Sequence, residues 1–167
     1  MKSLHKNYLI LAHNLAKKKF GQTFPNPTVG CLIVNKGKII SKGATGKNGR
    51  PHAEEHVIKK AGNKALGSTM YVTLEPCFHN SKNGSCAKQI LDAGIKRIYI
   101  SSIDPNPRTN SRSINFFKKN GIYTNVGINS KVSKKLNRFF FKSIKYKIPY
   151  VKVKLATTKD WKITKSN

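Results

Sequence analysis

The chain has 167 residues, of which 38% are hydrophobic, which suits one folded domain and excludes a disordered chain. Its 33 basic and six acidic residues give a net charge of +27, but the lysines are spread along the chain, so this charge favours attraction of a phosphorylated ligand over a localised nucleic-acid surface. Three cysteines are too few for a disulfide-bonded scaffold, and the apolar run 8–12 is too short for a signal peptide or membrane span, so we expect a cytoplasmic protein with no membrane partner.

Hydrophobic periodicity predicts helices that alternate with strands. In chain order we expect a helix over 3–20, a hairpin of strands 29–34 and 39–42, a helix over 53–62, a strand over 69–74, a helix over 86–93, a strand over 97–101, a helix over 114–120, a strand over 122–126, a basic helix over 130–146 and a half-exposed strand over 150–155. This alternation predicts an α/β fold whose sheet is largely parallel after the hairpin.

Two short segments and a cysteine carry the residue types of a metal site. They are Pro51-His52-Ala53-Glu54, Leu74-Glu75-Pro76-Cys77 and Cys86. Catalytic zinc sites use three nitrogen or sulfur ligands and leave one position for water, so we predict Zn²⁺ on His52, Cys77 and Cys86. Glu54 then lies beside the metal as a carboxylate that can carry protons. Zinc deaminases are marked by His-x-Glu followed by Pro-Cys-x-x-Cys, but here eight residues separate the cysteines.

A rival motif occupies the same helix. His52-Ala53-Glu54-Glu55-His56 matches the His-x-x-Glu-His pattern of inverted zinc proteases, in which His52 and His56 would bind the metal and Glu55 would be the base. That interpretation leaves Cys77 unexplained and lacks a further acidic ligand in a supporting motif, so it is the less favoured one. Cys31 lies inside a predicted strand and is interpreted as a core residue.

Four ordered motifs resemble the deaminase domain of the bifunctional riboflavin-biosynthesis deaminase/reductase family. They are Pro25-Asn26-Pro27-Thr28-Val29-Gly30, Pro51-His52-Ala53-Glu54, Tyr71 to His79, and Asp104-Pro105-Asn106-Pro107. The long gap between the cysteines also belongs to that family, and the resemblance covers residues 1–147. It implies a zinc-dependent deaminase with a cytidine-deaminase-like three-layer α/β/α sandwich around a mixed, mostly parallel sheet, and it suggests a homo-oligomer.

The resemblance also implies a reaction and substrate contacts. The reaction is hydrolytic deamination of 2,5-diamino-6-(5-phosphoribosylamino)pyrimidin-4(3H)-one to 5-amino-6-(5-phosphoribosylamino)uracil. Asn26 matches a substrate-contacting position, Lys82 a partner of the ring or phosphate, and Asn106 a position near the ribose phosphate, while Arg112 is expected to reach a phosphate. From the residues alone, Asn26 and Asn106 are equally well explained as turn residues between prolines. Thr45 stands where many members have a histidine.

The end of the chain departs from the family pattern. Residues 148–167 resemble the start of the reductase domain, not an independent domain, and a nicotinamide-binding domain needs on the order of 100 residues, so we expect no reductase activity. Two alternatives stay open. The charge of +27 would suit an RNA- or nucleoside-base deaminase or a basic nucleic-acid-binding module. The altered segment 81–85 and the short C-terminal part would suit an inactive, truncated deaminase.

Overall fold

The computed structural model describes residues 2–79 and 84–163. Within this part of the chain, helices and strands alternate as predicted. The helices are α1 (Lys2–Lys17), α2 (Ala53–Ala61), α3 (Cys86–Asp92), α4 (Arg112–Lys119), α5 (Ser130–Leu136) and α6 (Arg138–Tyr146). The strands are β1 (Gly30–Asn35), β2 (Lys38–Ala44), β3 (Thr69–Val72), β4 (Arg97–Ile100) and β5 (Tyr123–Val126). In the same described residues, no helix is both long enough and apolar enough to cross a lipid bilayer.

The strands form one mixed sheet in the order β2-β1-β3-β4-β5. Strand β1 pairs antiparallel with β2 and with β3, and the parallel pairs are β3 with β4 and β4 with β5. The predicted mixed sheet is therefore confirmed, with its parallel pairs after the hairpin. Because β3 and β4 run in parallel, the segments that follow them leave the sheet at the same edge. Those segments contain Cys77 and Asp104.

Helices cover both faces of the sheet, as a three-layer sandwich requires. Successive side chains of a strand point to opposite faces, and both faces here are apolar. On one face, β-strand residues pack against α2, α3 and α4: Cys31, Ile33, Met70, Val72, Ile98 and Ile100. On the other face, they pack against α1: Leu32, Val34, Tyr71 and Tyr99. Cys31 is fully buried, as expected for a core residue.

The predicted helix over 130–146 is wrong in one respect, because it is two helices that meet at Asn137. The Asn137 amide is buried and forms two hydrogen bonds with the backbone of Thr28, accepting from its N–H at 2.8 Å and donating to its C=O at 3.0 Å. These hydrogen bonds join residues far apart in the sequence, so local hydrophobic periodicity cannot predict them.

The predicted strand over 150–155 is also wrong. These residues form neither helix nor strand, and Val151 and Val153 are each 72% exposed. Alternation of apolar and basic residues produces a strand only when a neighbouring strand accepts its backbone hydrogen bonds. Tyr150 instead packs its ring edge-on against Phe139 of α6, with 4.5 Å between the ring centroids.

Candidate active site

The structure brings the three predicted metal ligands together. His52 precedes the first residue of α2, Cys77 follows β3, and Cys86 is the first residue of α3. His52 Nδ1 lies 3.3 Å from Cys86 Sγ and 3.7 Å from Cys77 Sγ, and all three ligand atoms lie within 4.8 Å of one another. Tetrahedral zinc with standard bond lengths places nitrogen and sulfur ligands about 3.5 Å apart. His52, Cys77 and Cys86 are therefore positioned to bind a metal ion.

The local backbone fixes each ligand. Glu55 accepts a hydrogen bond from the His52 backbone N–H at 2.7 Å, which forms a capping box at the start of α2. Ser85 caps α3 by accepting from Lys88 N at 3.2 Å, and this orients the first turn that carries Cys86. The Cys86 N–H points at Cys77 Sγ at 3.3 Å. His52 and Cys86 thus lie at helix starts, and Cys77, in the segment after β3, is joined to the start of α3 by the Cys86 N–H.

The two sulfur atoms are electrostatically suited to a cation. Hydrogen bonds from the Cys86 thiol and from His52 lower the pKa of Cys77 to about 4, against the opposing effect of burial. The pKa of Cys86 is raised, first by its hydrogen bond with Cys77 and then by burial. The pair therefore shares one negative charge, and a cation between the sulfurs would stabilise both thiolates.

Glu54 is a buried carboxylate next to these ligands, with an exposed fraction of 4%. Burial raises its pKa to about 7, although the charge of His52 opposes this shift. Its charge also acts on Cys86, whose pKa it raises. Among the described residues, the cluster of metal-ligating atoms contains His52, Cys77 and Cys86 but not Glu54. The predicted arrangement of three ligands and one separate carboxylate is present.

The protease-like alternative does not fit the geometry. The Glu55 carboxylate is held by the His52 N–H and by Arg50 Nη1 at 3.2 Å. The His56 ring packs beside Gly43, where an added Cβ would lie 3.2 Å from His56 Nδ1. In the described part of the chain, His56 is outside the metal-ligating cluster. Glu55 therefore caps a helix, and His56 is an exposed residue beside Gly43.

The predicted substrate contact Asn26 and the departing residue Thr45 are both engaged in hydrogen bonds with the backbone. Asn26 Nδ2 donates to the Gly49 carbonyl at 3.0 Å, so this amide joins the Pro-Asn-Pro segment to the loop before His52. The Thr45 hydroxyl is buried, accepts from Val29 N at 3.0 Å and donates to Pro27 O at 3.2 Å. Thr45 therefore joins two segments of the scaffold. Lys82 lies outside the described residues.

The two predicted substrate contacts after β4 have different surroundings, since Asn106 forms a turn and Arg112 lines a cavity. Asn106 Oδ1 accepts from Arg108 N at 3.0 Å, which is the turn role that the sequence left open. Arg112 is exposed and begins α4. It lines a cavity of about 590 Å³ together with Arg108, and the residues Phe78, His79, Ser85, Lys88, Leu91 and Phe116 complete the lining. Several of these residues flank Cys77 and Cys86 in the sequence.

Sequence reasoning gave no role to His79, which the structure marks as a candidate. Its Nδ1 atom is buried and has no hydrogen-bond partner within the described residues, and its ring lines the 590 Å³ cavity. Its position two residues after Cys77, inside the matched motif, was the available signal. A larger cavity of about 1320 Å³ is distinct from the metal ligands and is basic, with Lys18, Lys19, Lys47, Arg50, Lys59 and Lys60 in its lining.

The mixed sheet between two helical layers, with a histidine and two cysteines beside a buried glutamate, defines a deaminase of the zinc-binding class. The chain matches the model of the cytidine and deoxycytidylate deaminase zinc-binding region over residues 2–102 and belongs to this family. It is 42% identical to the riboflavin biosynthesis protein RibD of Aquifex aeolicus over 163 residues, which cover 98% of the chain and 46% of that protein. It is 43% identical over 142 residues to a diaminohydroxyphosphoribosylamino-pyrimidine deaminase of Buchnera aphidicola from Schizaphis graminum, covering 85% of the chain and 97% of that protein.

Solved structures agree. RibD of Acinetobacter baumannii superposes with a TM-score of 0.89 at 37% identity, over 95% of this chain and 45% of that one. The chain thus spans less than half of the RibD proteins that it matches, and the matching part contains the candidate metal site.

Proposed function

We propose that the chain catalyses the hydrolytic deamination of 2,5-diamino-6-(5-phosphoribosylamino)pyrimidin-4(3H)-one, consuming one water and releasing ammonia and 5-amino-6-(5-phosphoribosylamino)uracil. The observation that carries this proposal is the cluster of His52, Cys77 and Cys86 with the buried carboxylate of Glu54 beside it. The shared motifs and the named Buchnera relative favour this substrate over other pyrimidines.

The ligands and Glu54 divide the chemistry between them. A zinc ion held by His52, Cys77 and Cys86 supplies the Lewis acidity that makes a water molecule nucleophilic near neutral pH. Glu54 would accept the protons that this water loses and pass one to the ring nitrogen and one to the departing amino group, so that ammonia leaves and the carboxylate ends the cycle as it began. The buried position of Glu54 keeps bulk water from competing for that proton.

The substrate phosphate has a suitable site in the cavity beside the metal ligands. Arg108 and Arg112 bring two guanidinium groups to this cavity, and His79 offers a ring nitrogen that has no partner among the described residues. Guanidinium groups recognise phosphate oxygens in a bidentate manner. We assign Arg112 to the phosphate, as the sequence predicts, and add His79 as a contact to the substrate. Asn26, Lys82 and Asn106 remain predicted contacts.

The substitution Glu54→Gln tests this proposal. The zinc-loaded variant is expected to keep one zinc per chain, measured by elemental analysis, and to lose about 10²–10⁴-fold in the rate of ammonia release from the diaminopyrimidine ribotide. Glu55→Gln is the matched control, because its amide oxygen can still accept from the His52 N–H, and most activity is expected to remain. A loss in Glu55→Gln with full activity in Glu54→Gln would refute the assignment.

A second candidate function rests on the basic cavity of about 1320 Å³, whose six Lys and Arg residues face one acidic residue, Glu55. These cations would suit an RNA-base deaminase. Glu55 is also already engaged with Arg50 at 3.2 Å. Tight binding of transfer RNA at physiological salt, together with deamination of its bases, would favour this function over the first. Inactivity of the zinc-loaded chain on both substrates would favour the third alternative, an inactive deaminase.

We also propose the boundary of the deaminase unit near residue 147, since α6 ends at Tyr146 and residues 148–163 contain no helix or strand. Cytoplasmic location is proposed from the three free cysteines, which fit a reducing compartment. Self-association stays a prediction from the family resemblance.

A further inference from the structure

Glu75 is a buried carboxylate that the proposed reaction does not use. It follows the end of β3, two residues before Cys77, and is 3% exposed. Its backbone N–H donates to the Ser102 carbonyl at 2.8 Å, which continues the parallel pairing between the segments that leave β3 and β4. A buried carboxylate requires hydrogen-bond donors, so its partners indicate what it does.

Donors from three residues converge on this carboxylate, and the backbone N–H of Ser113 is among them. Glu75 Oε2 accepts from the backbone N–H of Asp104 at 3.2 Å and from that of Ser111 at 3.0 Å. Glu75 Oε1 accepts from the hydroxyl of Ser113 at 2.8 Å. Asp104 and Ser111 are the first and last residues of the segment 104–111, which contains the Asp-Pro-Asn-Pro motif and leads into α4. One oxygen atom therefore holds both ends of this segment.

The segment is ordered internally by shorter-range bonds. Asp104 Oδ1 accepts from Asn106 N at 2.8 Å, and the Asn106 carbonyl accepts from Thr109 N and Asn110 N, each at 2.8 Å. Ser111 has a left-handed backbone conformation with φ 59°, which is uncommon for a residue other than glycine. The segment 104–111 is thus ordered by its own hydrogen bonds. Its two bonds to Glu75 attach it to the segment that carries Cys77.

We infer that Glu75 is a positioning residue, which sets the distance between the metal ligand Cys77 and the phosphate-binding side of the cleft. Arg112 directly follows Ser111, so the hydrogen bond from Ser111 N to Glu75 fixes the backbone position from which the Arg112 side chain extends. Asp104 N fixes the other end, next to Asn106. This inference rests on the proposed function for the identity of the substrate, but the clamp itself is a property of the fold.

The chemistry of the contacts predicts which substitutions matter. In Glu75→Gln, the amide oxygen can still accept from the backbone N–H groups of Asp104 and Ser111, and the amide NH₂ can donate to the Ser113 hydroxyl, which rotates to accept, so only the bond from the Ser113 N–H is lost. In Glu75→Ala, all the backbone donors lose their acceptor. Glu75→Asp keeps the charge but is one methylene shorter, so it cannot reach Asp104, Ser111 and Ser113 together. Glutamine should therefore rescue what alanine and aspartate lose.

Steady-state kinetics of the zinc-loaded chain with the diaminopyrimidine ribotide test the inference. For Glu75→Ala we expect KM to rise roughly tenfold or more, since a displaced Arg112 would lose a charged hydrogen bond to the phosphate, and such a bond is worth about that factor. We expect kcat and the zinc content to change by less than about threefold, and Glu75→Gln to resemble the wild type. In an Arg112→Ala background, the additional KM effect of Glu75→Ala should largely disappear, because both changes remove the same contact.

Amide hydrogen exchange measures the clamp without any substrate. The amides of Asp104 and Ser111 should exchange at least about tenfold faster in Glu75→Ala, or in Glu75→Asp if the alanine variant fails to fold, while the amides of β4 keep their rates. Unchanged exchange at both amides, or an unaltered KM in the zinc-loaded Glu75→Ala variant, would overturn the inference. Faster exchange in the variant, combined with a wild-type chain that releases no ammonia, would reject the proposed function and leave the clamp supported.

Discussion

Gly30 is the position at which a single methyl group should do most damage, and the structure gives the reason. A Cβ added to Gly30 would overlap the carbonyl oxygen of Ala12 and lie 2.8 Å from its carbonyl carbon and 3.1 Å from Ala16 N. These are backbone atoms of α1, so no side chain can rotate away. Because non-bonded atoms pack at about 3.5 Å and the overlap with the Ala12 oxygen is the closest contact, α1 must retreat from β1 by more than about 1 Å.

The cost of that retreat follows from what α1 covers. Leu9 and Ala12 are fully buried against Leu32 of β1, and a gap of 0.5–1 Å forfeits about a quarter to a half of each dispersion contact. Overpacking a core usually lowers the free energy of unfolding by about 1–3 kcal/mol. A clash with backbone atoms is expected to cost at least the upper value of that range. We therefore expect Gly30→Ala to lower the free energy of unfolding by about 3 kcal/mol, which for a chain of this size lowers Tm by roughly 6–12 °C.

Thermal and urea unfolding of zinc-loaded protein, followed by far-ultraviolet circular dichroism, give the comparison. Gly121→Ala is the matched control, because Gly121 has φ +71° and nothing lies within 4 Å of its added Cβ. That variant should lose only about 1 kcal/mol, from backbone strain. A Gly30→Ala protein that unfolds within about 3 °C of the wild type, or that is more stable than Gly121→Ala, would refute this account of the contact between α1 and β1.

Three further predictions concern single side chains. Cys86→Ser should greatly reduce zinc content by elemental analysis, whereas Cys31→Ala should retain it, since Cys31 lies in the core and outside the described metal-ligating cluster. Burial raises the pKa of Asp104 to about 7 from an ordinary 3.8, so ionisation of this carboxyl destabilises the fold fully above pH 7 and not at all below pH 3.8. Asp104→Asn should therefore be more stable than the wild type in urea by on the order of 2–4 kcal/mol at pH 8. A gain in stability that does not shrink towards pH 5 would contradict this. Asn137→Ala removes both bonds to Thr28 and should cost about 2–3 kcal/mol in the same urea assay, with unaltered stability as the contrary result.

The elements that the sequence predicted well are those whose signal is local. The helix at residues 53–61 has a capping-box glutamate three residues after His52, and the first hairpin turns at Lys36 and Gly37, both of which have positive φ. Each signal lies within a few residues of the structure that it specifies. The three metal ligands could be predicted for a related reason, because zinc chemistry restricts the residue types and the motif places each beside a strong structural boundary.

The predictions that failed depend on distant partners. The break at Asn137 exists because Thr28, over 100 residues earlier, offers a backbone N–H and C=O to its amide. Helix α4 begins at Arg112, before the predicted start at 114, and Glu75 accepts from Ser111 N just ahead of it. The apolar alternation of 150–155 has no adjacent strand among the described residues to pair with. Periodicity cannot supply any of these contacts.

The eight-residue gap between the cysteines was the largest departure from the short zinc deaminase signature, and the structure explains why it is tolerated. Both ends of the gap are anchored at the metal site itself, since Ala87 N donates to the Cys77 carbonyl at 3.2 Å and Cys86 N points at Cys77 Sγ at 3.3 Å. With its ends held, lengthening the gap from two residues to eight costs only about 1 kcal/mol of loop-closure entropy. The longer gap also carries His79, which lines the same cavity as Arg112, so a histidine of the gap lies near the ligands.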